Sequence, residues 1–101
     1  MAKTAQMYRD ETERLSLWFE AEVIRASDCA HNAMFRDPSP FYLYYRQGGL
    51  ALFSDNETNE AVKAGWILAT PEPFRGFDDK AGMRRKVYQI ARSLPCLPKE
   101  E

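Results

Sequence analysis

The sequence predicts a small single-domain α+β fold with a long N-terminal helix, a β-hairpin, a short helix, a third strand and a C-terminal helix. Three observations carry that reading. Residues 41–70, FYLYYRQGGLALFSDNETNEAVKAGWILAT, hold the densest apolar sequence, and they read as strand, Gly-Gly turn, strand, helix, strand. The flanks on both sides have helical texture. At 101 residues, with 45% hydrophobic and 29% charged residues, the chain has the size and composition of one folded domain.

From about Ala5 the apolar residues Met7, Tyr8, Leu15, Trp18, Phe19 and Val23 recur at spacings of three, four and seven, which predicts a long amphipathic helix. Its polar side holds Arg9, Asp10, Glu13, Arg14 and Glu20, with Asp10 and Arg14 at i,i+4 spacing. This side reads as a solvated face or, together with the apolar stripe around Trp18, as a place where a partner docks. Ser27 and Asp28 are good N-cap types, so 27–35 either continues the helix or starts a second one after a kink. Asp37-Pro38-Ser39-Pro40 ends any helix, because proline lacks an amide hydrogen and drives its predecessor to extended backbone.

Phe41 to Arg46 alternates as a strand with aromatic residues on both faces. Gln47-Gly48-Gly49 supplies the positive backbone angles of a tight turn, and Leu50 to Phe53 returns as the second strand. Ser54 and Glu57 have capping-box spacing for a helix over Asn56 to Ala64, which Gly65 terminates. Trp66 to Thr70 resumes as the third strand. Two faces of aromatic residues imply a sheet covered by helices on both sides, or one face held for a second copy or a partner. Asp78 or Asp79 caps the last helix, with Met83, Val87, Ile90, Ala91 and Leu94 on its buried side, and Pro95 stops it. Residues 1–4 and 96–101 read as mobile ends.

The composition narrows the chemistry. A net charge of -1 gives no global attraction for a polyanion, so nucleic-acid binding would have to come from a local patch. No apolar run approaches the ~20 residues of a membrane span. Cys29 and Cys96 are the only cysteines, far apart and without a preceding signal sequence, which favours free thiols in a reducing compartment. Asp28, Cys29 and the single histidine His31 form the one cluster with ligand chemistry. Three Cys and His residues fall short of the four a structural zinc site normally takes, so a metal there would need carboxylates or a second subunit, and residues two apart on a helix do not face one another as a catalytic dyad. A buried cysteine and a satisfied histidine on a helix are the expectation there. Neither GxxxxGK[ST] nor GxGxxG occurs, and adjacent carboxylates such as Asp78 and Asp79 lack the unequal environments of acid–base catalysis. No enzyme activity, metal or cofactor is expected.

Two surface features remain. Pro71-Glu72-Pro73-Phe74-Arg75-Gly76-Phe77 is a stiff aromatic loop, and Phe74, Arg75 and Phe77 have the composition of an interface hot spot, unless the rings tuck beneath the last helix. Arg84, Arg85 and Lys86, extended by Lys80 and Arg92, make a basic helix face suited to an acidic protein surface or to phosphates, or simply to solvent. The prolines fall in near pairs, at 38 and 40, 71 and 73, 95 and 98. A cis bond at one of them would make a prolyl isomerase a partner.

The segments FYLYYRQGGLALF and GWILATPEPFRGF and the ending SLPCLPKEE resemble the anti-RecBCD accessory proteins that P22-like lambdoid phages make to redirect host machinery. The resemblance implies a non-enzymatic protein of the host bacterial cytoplasm. It would bind the RecBCD helicase-nuclease through its RecC subunit and modulate nuclease and Chi-dependent activity to favour phage recombination. It carries no family site residues; Phe74, Arg75, Phe77, Arg84, Arg85 and Lys86 are expected at the interface from the residues alone. The alternative is a small nucleic-acid-binding protein that uses the basic face of the C-terminal helix.

Overall fold

The structure, a computed structural model, describes residues 5–37, 39–75 and 79–95, with backbone only for 5–14. The observed order is α1 (Ala5–Met34), β1 (Phe41–Arg46), β2 (Gly49–Ser54), a 3-10 turn (Asp55–Glu57) leading into α2 (Thr58–Lys63), β3 (Ile67–Leu68) and α3 (Lys80–Ala91). This is the α+β arrangement expected from the sequence. The sheet is antiparallel with strand order β2-β1-β3.

The first helix runs through Ser27 without a kink. A residue with capping chemistry is tolerated there because its hydroxyl donates back to the carbonyls of Val23 (2.8 Å) and Ile24 (3.2 Å), one turn earlier. At 1.5 Å per residue, α1 is about 45 Å long, and it accounts for most of the 51 Å long axis. Among its described side chains, Phe19, Val23, Ala26, Ala30 and Met34 form the stripe that faces the core. Ala26 and Ala30 are small and almost fully buried, which lets α1 approach its neighbours closely. After Met34 the chain turns through amides of Arg36 and Asp37 that donate to the Ala33 carbonyl, and Asp37 accepts from the Ser39 amide.

The hairpin register is Phe41↔Ser54 through Arg46↔Gly49. Of the turn glycines, only Gly48 takes a positive φ (92°), so the expectation of positive angles through Gln47-Gly48-Gly49 narrows to that residue. Gly49 serves a different purpose. A Cβ there would stand 3.3 Å from the Trp66 ring and 3.6 Å from Glu22 Oε1, so glycine allows the indole to lie against the strand. Gly65, at φ 90°, ends α2 as anticipated.

Phe41, Leu43, Leu50 and Leu52 point toward α1 and α3 and join Met83, Val87 and Ala91 in the main core. On the other face Tyr44 stacks edge-to-face on Phe53, and Phe53 on Trp66, beneath the buried Ala61 of α2. Tyr44 is thereby buried on this face too, while Tyr42, Phe53 and Trp66 stay half-buried there. The third strand is shorter than Trp66–Thr70 because the register breaks. Leu68 pairs with Tyr44, yet Phe74 pairs with Phe41, so three extra residues bulge out around Pro71 and Pro73. Phe74 returns to the sheet, exchanging two backbone bonds with Phe41 (3.1 and 2.6 Å).

All described peptide bonds are trans, including those preceding Pro40, Pro71, Pro73 and Pro95. The expectation of a cis proline, and of a prolyl isomerase acting on it, thus has no bond to rest on among the described residues; Pro38 and Pro98 lie outside them.

The outer edge of β2 is closed by side chains of α1. Glu22 Oε1 accepts from the Leu50 amide (3.0 Å), Arg25 donates to the Leu50 carbonyl (2.7 Å), and the two side chains pair with each other. Burial alone would raise the Glu22 pKa, but bonds from Arg25 and the Leu50 amide outweigh it and hold the carboxyl below its ordinary value of 4.5. A lowered folded-state pKa means stability that is present above 4.5 and is lost as pH falls through the folded value. Glu22→Ala is expected to cost about 1–3 kcal/mol, since it strands the amide of a fully buried residue, and to reduce the loss of stability below pH 4.5; denaturant titrations across that range measure both. Phe74→Ala is expected to cost about 3–5 kcal/mol by the same method, because the ring is 2% exposed.

Candidate functional site

The helices α1 and α3 run in opposite senses, since Asp28 meets Arg84 while the earlier Phe19 meets the later Tyr88. Asp79 caps α3 by accepting from the Gly82 amide (2.6 Å), and Met83, Val87 and Ala91 then fall one turn apart on the buried side. That phase sets Arg84, Arg85 and Tyr88 beside α1. The Arg84 guanidinium binds Asp28 through both oxygens, Nε to Oδ1 at 3.0 Å and Nη2 to Oδ2 at 2.7 Å. This forked pair holds the Asp28 carboxyl below its ordinary range and raises Arg84 in turn.

Beyond the ion pair the two helices leave a groove of 530 Å³, lined by Ser16, Phe19, Glu20, Val23 and Ile24 of α1 and by Arg84, Arg85, Tyr88 and Gln89 of α3. Val23 is buried in its floor, and Phe19 and Tyr88 meet edge-to-face at 5.5 Å. Tyr88 remains 46% exposed and Ile24 37%, and on α1 Leu17 is also exposed. Glu20 on one helix and Arg85 on the other are solvent-facing and make no side-chain bond among the described residues. The result is a shallow apolar channel with one acidic and one basic rim, which can accommodate a complementary protein segment.

The sequence-predicted site residues do not converge on one spot. Phe74 is a core residue and cannot reach a partner; the reading of it as an exposed hot spot is corrected, because its backbone is drawn into the sheet by Phe41 and its ring fills the core. Arg75 is exposed next to it, and Phe77 lies outside the described residues. Arg84 is engaged by Asp28, while Arg85 and Lys86 are exposed. Sequence reasoning placed Phe19 on the apolar stripe weighed as a docking surface and missed Ile24. Ile24 carried a usable signal, since it is apolar yet out of phase with the buried Val23, Ala26, Ala30 stripe.

The Asp28, Cys29, His31 cluster is dispersed around α1. Asp28 faces α3, Cys29 is a free thiol and exposed where burial was expected, and His31 is buried against Phe35 with their rings 5.0 Å apart. Its buried Nδ1 has no hydrogen-bond partner among the described residues. The described residues hold no group of three or more acidic, Cys or His side chains able to bind a metal, and no helix long and apolar enough to cross a membrane.

Arg84→Ala is expected to melt below wild type, whereas Arg85→Ala is expected to melt with it, because only the first is tied to α1; thermal unfolding by circular dichroism separates the two. Compared with protein-family models, curated proteins and solved structures, the chain shows no significant match in any of the three.

Proposed function

We propose that the protein is a non-catalytic binding protein that uses the α1–α3 groove to occupy a surface of a host protein complex. The observation that carries this reading is the groove itself: exposed Ile24 and Tyr88 over a buried floor, with rims of opposite charge. Apolar surface gathered in a concavity is where binding energy concentrates in protein interfaces.

The resemblance of FYLYYRQGGLALF, GWILATPEPFRGF and SLPCLPKEE to the anti-RecBCD proteins of P22-like phages supplies the partner in this proposal. The host RecBCD helicase-nuclease is engaged through RecC in the bacterial cytoplasm, and its nuclease and Chi-dependent behaviour is shifted in favour of phage recombination. Occupying a surface changes the partner's behaviour only if the protein binds one of its states more tightly than another. The alternative, direct binding of nucleic acid by the basic face of α3, loses support from Arg84, whose charge is compensated by Asp28.

Tagged protein mixed with purified RecBCD is expected to co-elute in size-exclusion chromatography and to alter degradation of linear DNA containing Chi. Ile24→Glu and Tyr88→Ala are expected to weaken capture by about 30-fold or more; Ile24→Glu leaves the circular-dichroism melt unchanged, whereas Tyr88→Ala lowers it slightly because the edge contact with Phe19 is lost. No complex with RecBCD at micromolar concentrations would overturn the proposal. Retention of naked DNA, abolished by salt, would support the nucleic-acid alternative instead.

A further inference from the structure

A second concavity, of 210 Å³, lies on the face of the sheet opposite α1 and α3, and its walls are the rings of Phe53 and Trp66. The two rings stand edge-to-face with centroids 5.4 Å apart. Ala61 of α2 and Ala64, the residue just after it, close one side, and the two charged residues in the lining, Glu57 and Glu60, are both carboxylates. They project from the same side because they are three residues apart on one helical run. Glu57 is held in place, its Oε1 accepting from the amide (3.1 Å) and hydroxyl (2.9 Å) of Ser54. Glu60 is exposed, and its side chain has no partner among the described residues.

Indole is the ring with the strongest attraction for a cation, and Trp66 already carries one: the Arg46 guanidinium carbon sits 4.2 Å from its centroid while Nη1 donates to the Ala64 carbonyl (3.1 Å). That contact pins the ring and demonstrates the chemistry it accepts. The volume is below the roughly 300–1,000 Å³ of a site for a drug-sized ligand, but it suffices for a single side-chain head group. A guanidinium matches it better than an ammonium, since a planar group can stack on an aromatic wall while its edge hydrogen-bonds to a carboxylate.

We propose that the Phe53–Trp66 pocket receives the guanidinium group of an arginine from a protein partner, stacked on one of the two aromatic rings and paired with Glu57 and Glu60. This site is independent of the α1–α3 groove and does not rest on the identity of the partner proposed there.

The test is a nuclear magnetic resonance titration of the full chain with N-acetyl-arginine amide, read on the indole N–H of Trp66, with Trp18 as the internal control and the uncharged isostere N-acetyl-citrulline amide as the comparison. The expected result is a saturable shift of Trp66 alone at millimolar arginine amide, absent with the citrulline derivative. Glu60→Gln, at an exposed residue whose side chain makes no bond, is expected to weaken that binding about two- to fivefold, the contribution of a solvent-exposed ion pair. Equal shifts from the neutral isostere, no saturable shift, or an unchanged affinity in Glu60→Gln would overturn the proposal.

Discussion

The fold depends on one constraint: the central strand β1 carries apolar side chains on both faces, and both faces must be removed from water. Leu43 and Tyr44 are adjacent and point in opposite directions, yet they are 0% and 2% exposed. A single covering layer could bury only one of them. The long helix and α3 take the Leu43 side, and α2 with the Trp66 indole takes the Tyr44 side. Burying a large apolar side chain contributes about 1.5–3 kcal/mol, so leaving either face open would forfeit a substantial part of the margin of a small domain.

Electrostatics then fixes how the covering layers sit. Glu22 and Arg25 dock α1 on the backbone of β2, and Asp28 fastens α3 to α1 through Arg84. Glu22 and Arg25 turn toward β2, whereas Asp28, 120° further round the helix, turns toward α3. Ion pairs that remain partly exposed add little net stability. Their effect here is positional, since they determine which side of each helix is turned outward. Arg84 is drawn out of the basic run in the process, and Tyr88, Ile24 and Arg85 are left along the channel.

Much of this was legible in the sequence wherever the signal is local. The strand Phe41–Arg46, the helical stop at Gly65 and the cap at Asp79 follow from alternation, conformational freedom and side-chain acceptors, and each is found where those rules put it. The misreadings involve partners distant in sequence. Phe74 has hot-spot composition but belongs to the core, because Phe41, thirty-three positions earlier, captures its backbone. At Ser27 the choice left open, a continued helix or a second one after a kink, falls to the continued helix. Cys29 and His31 are two apart, and the helical rotation between them sends one to solvent and the other inward. The α1–α3 groove is a property of two surfaces meeting, and no short window of sequence contains it.

The treatment of the sheet edges bears on how copies of this chain behave beside one another. An unprotected strand edge is a template for pairing with a second chain. On one side Glu22 and Arg25 occupy the backbone groups of Leu50 that such a chain would need. On the other, β3 offers only Ile67 and Leu68 before Pro71 and Pro73 carry the backbone out of line and remove two amide donors. Both edges are thereby short of open backbone groups, at Leu50 on one side and beyond Leu68 on the other, beside the exposed apolar side chains of Ile67 and Leu68. Such features disfavour edge-to-edge pairing between copies of the chain.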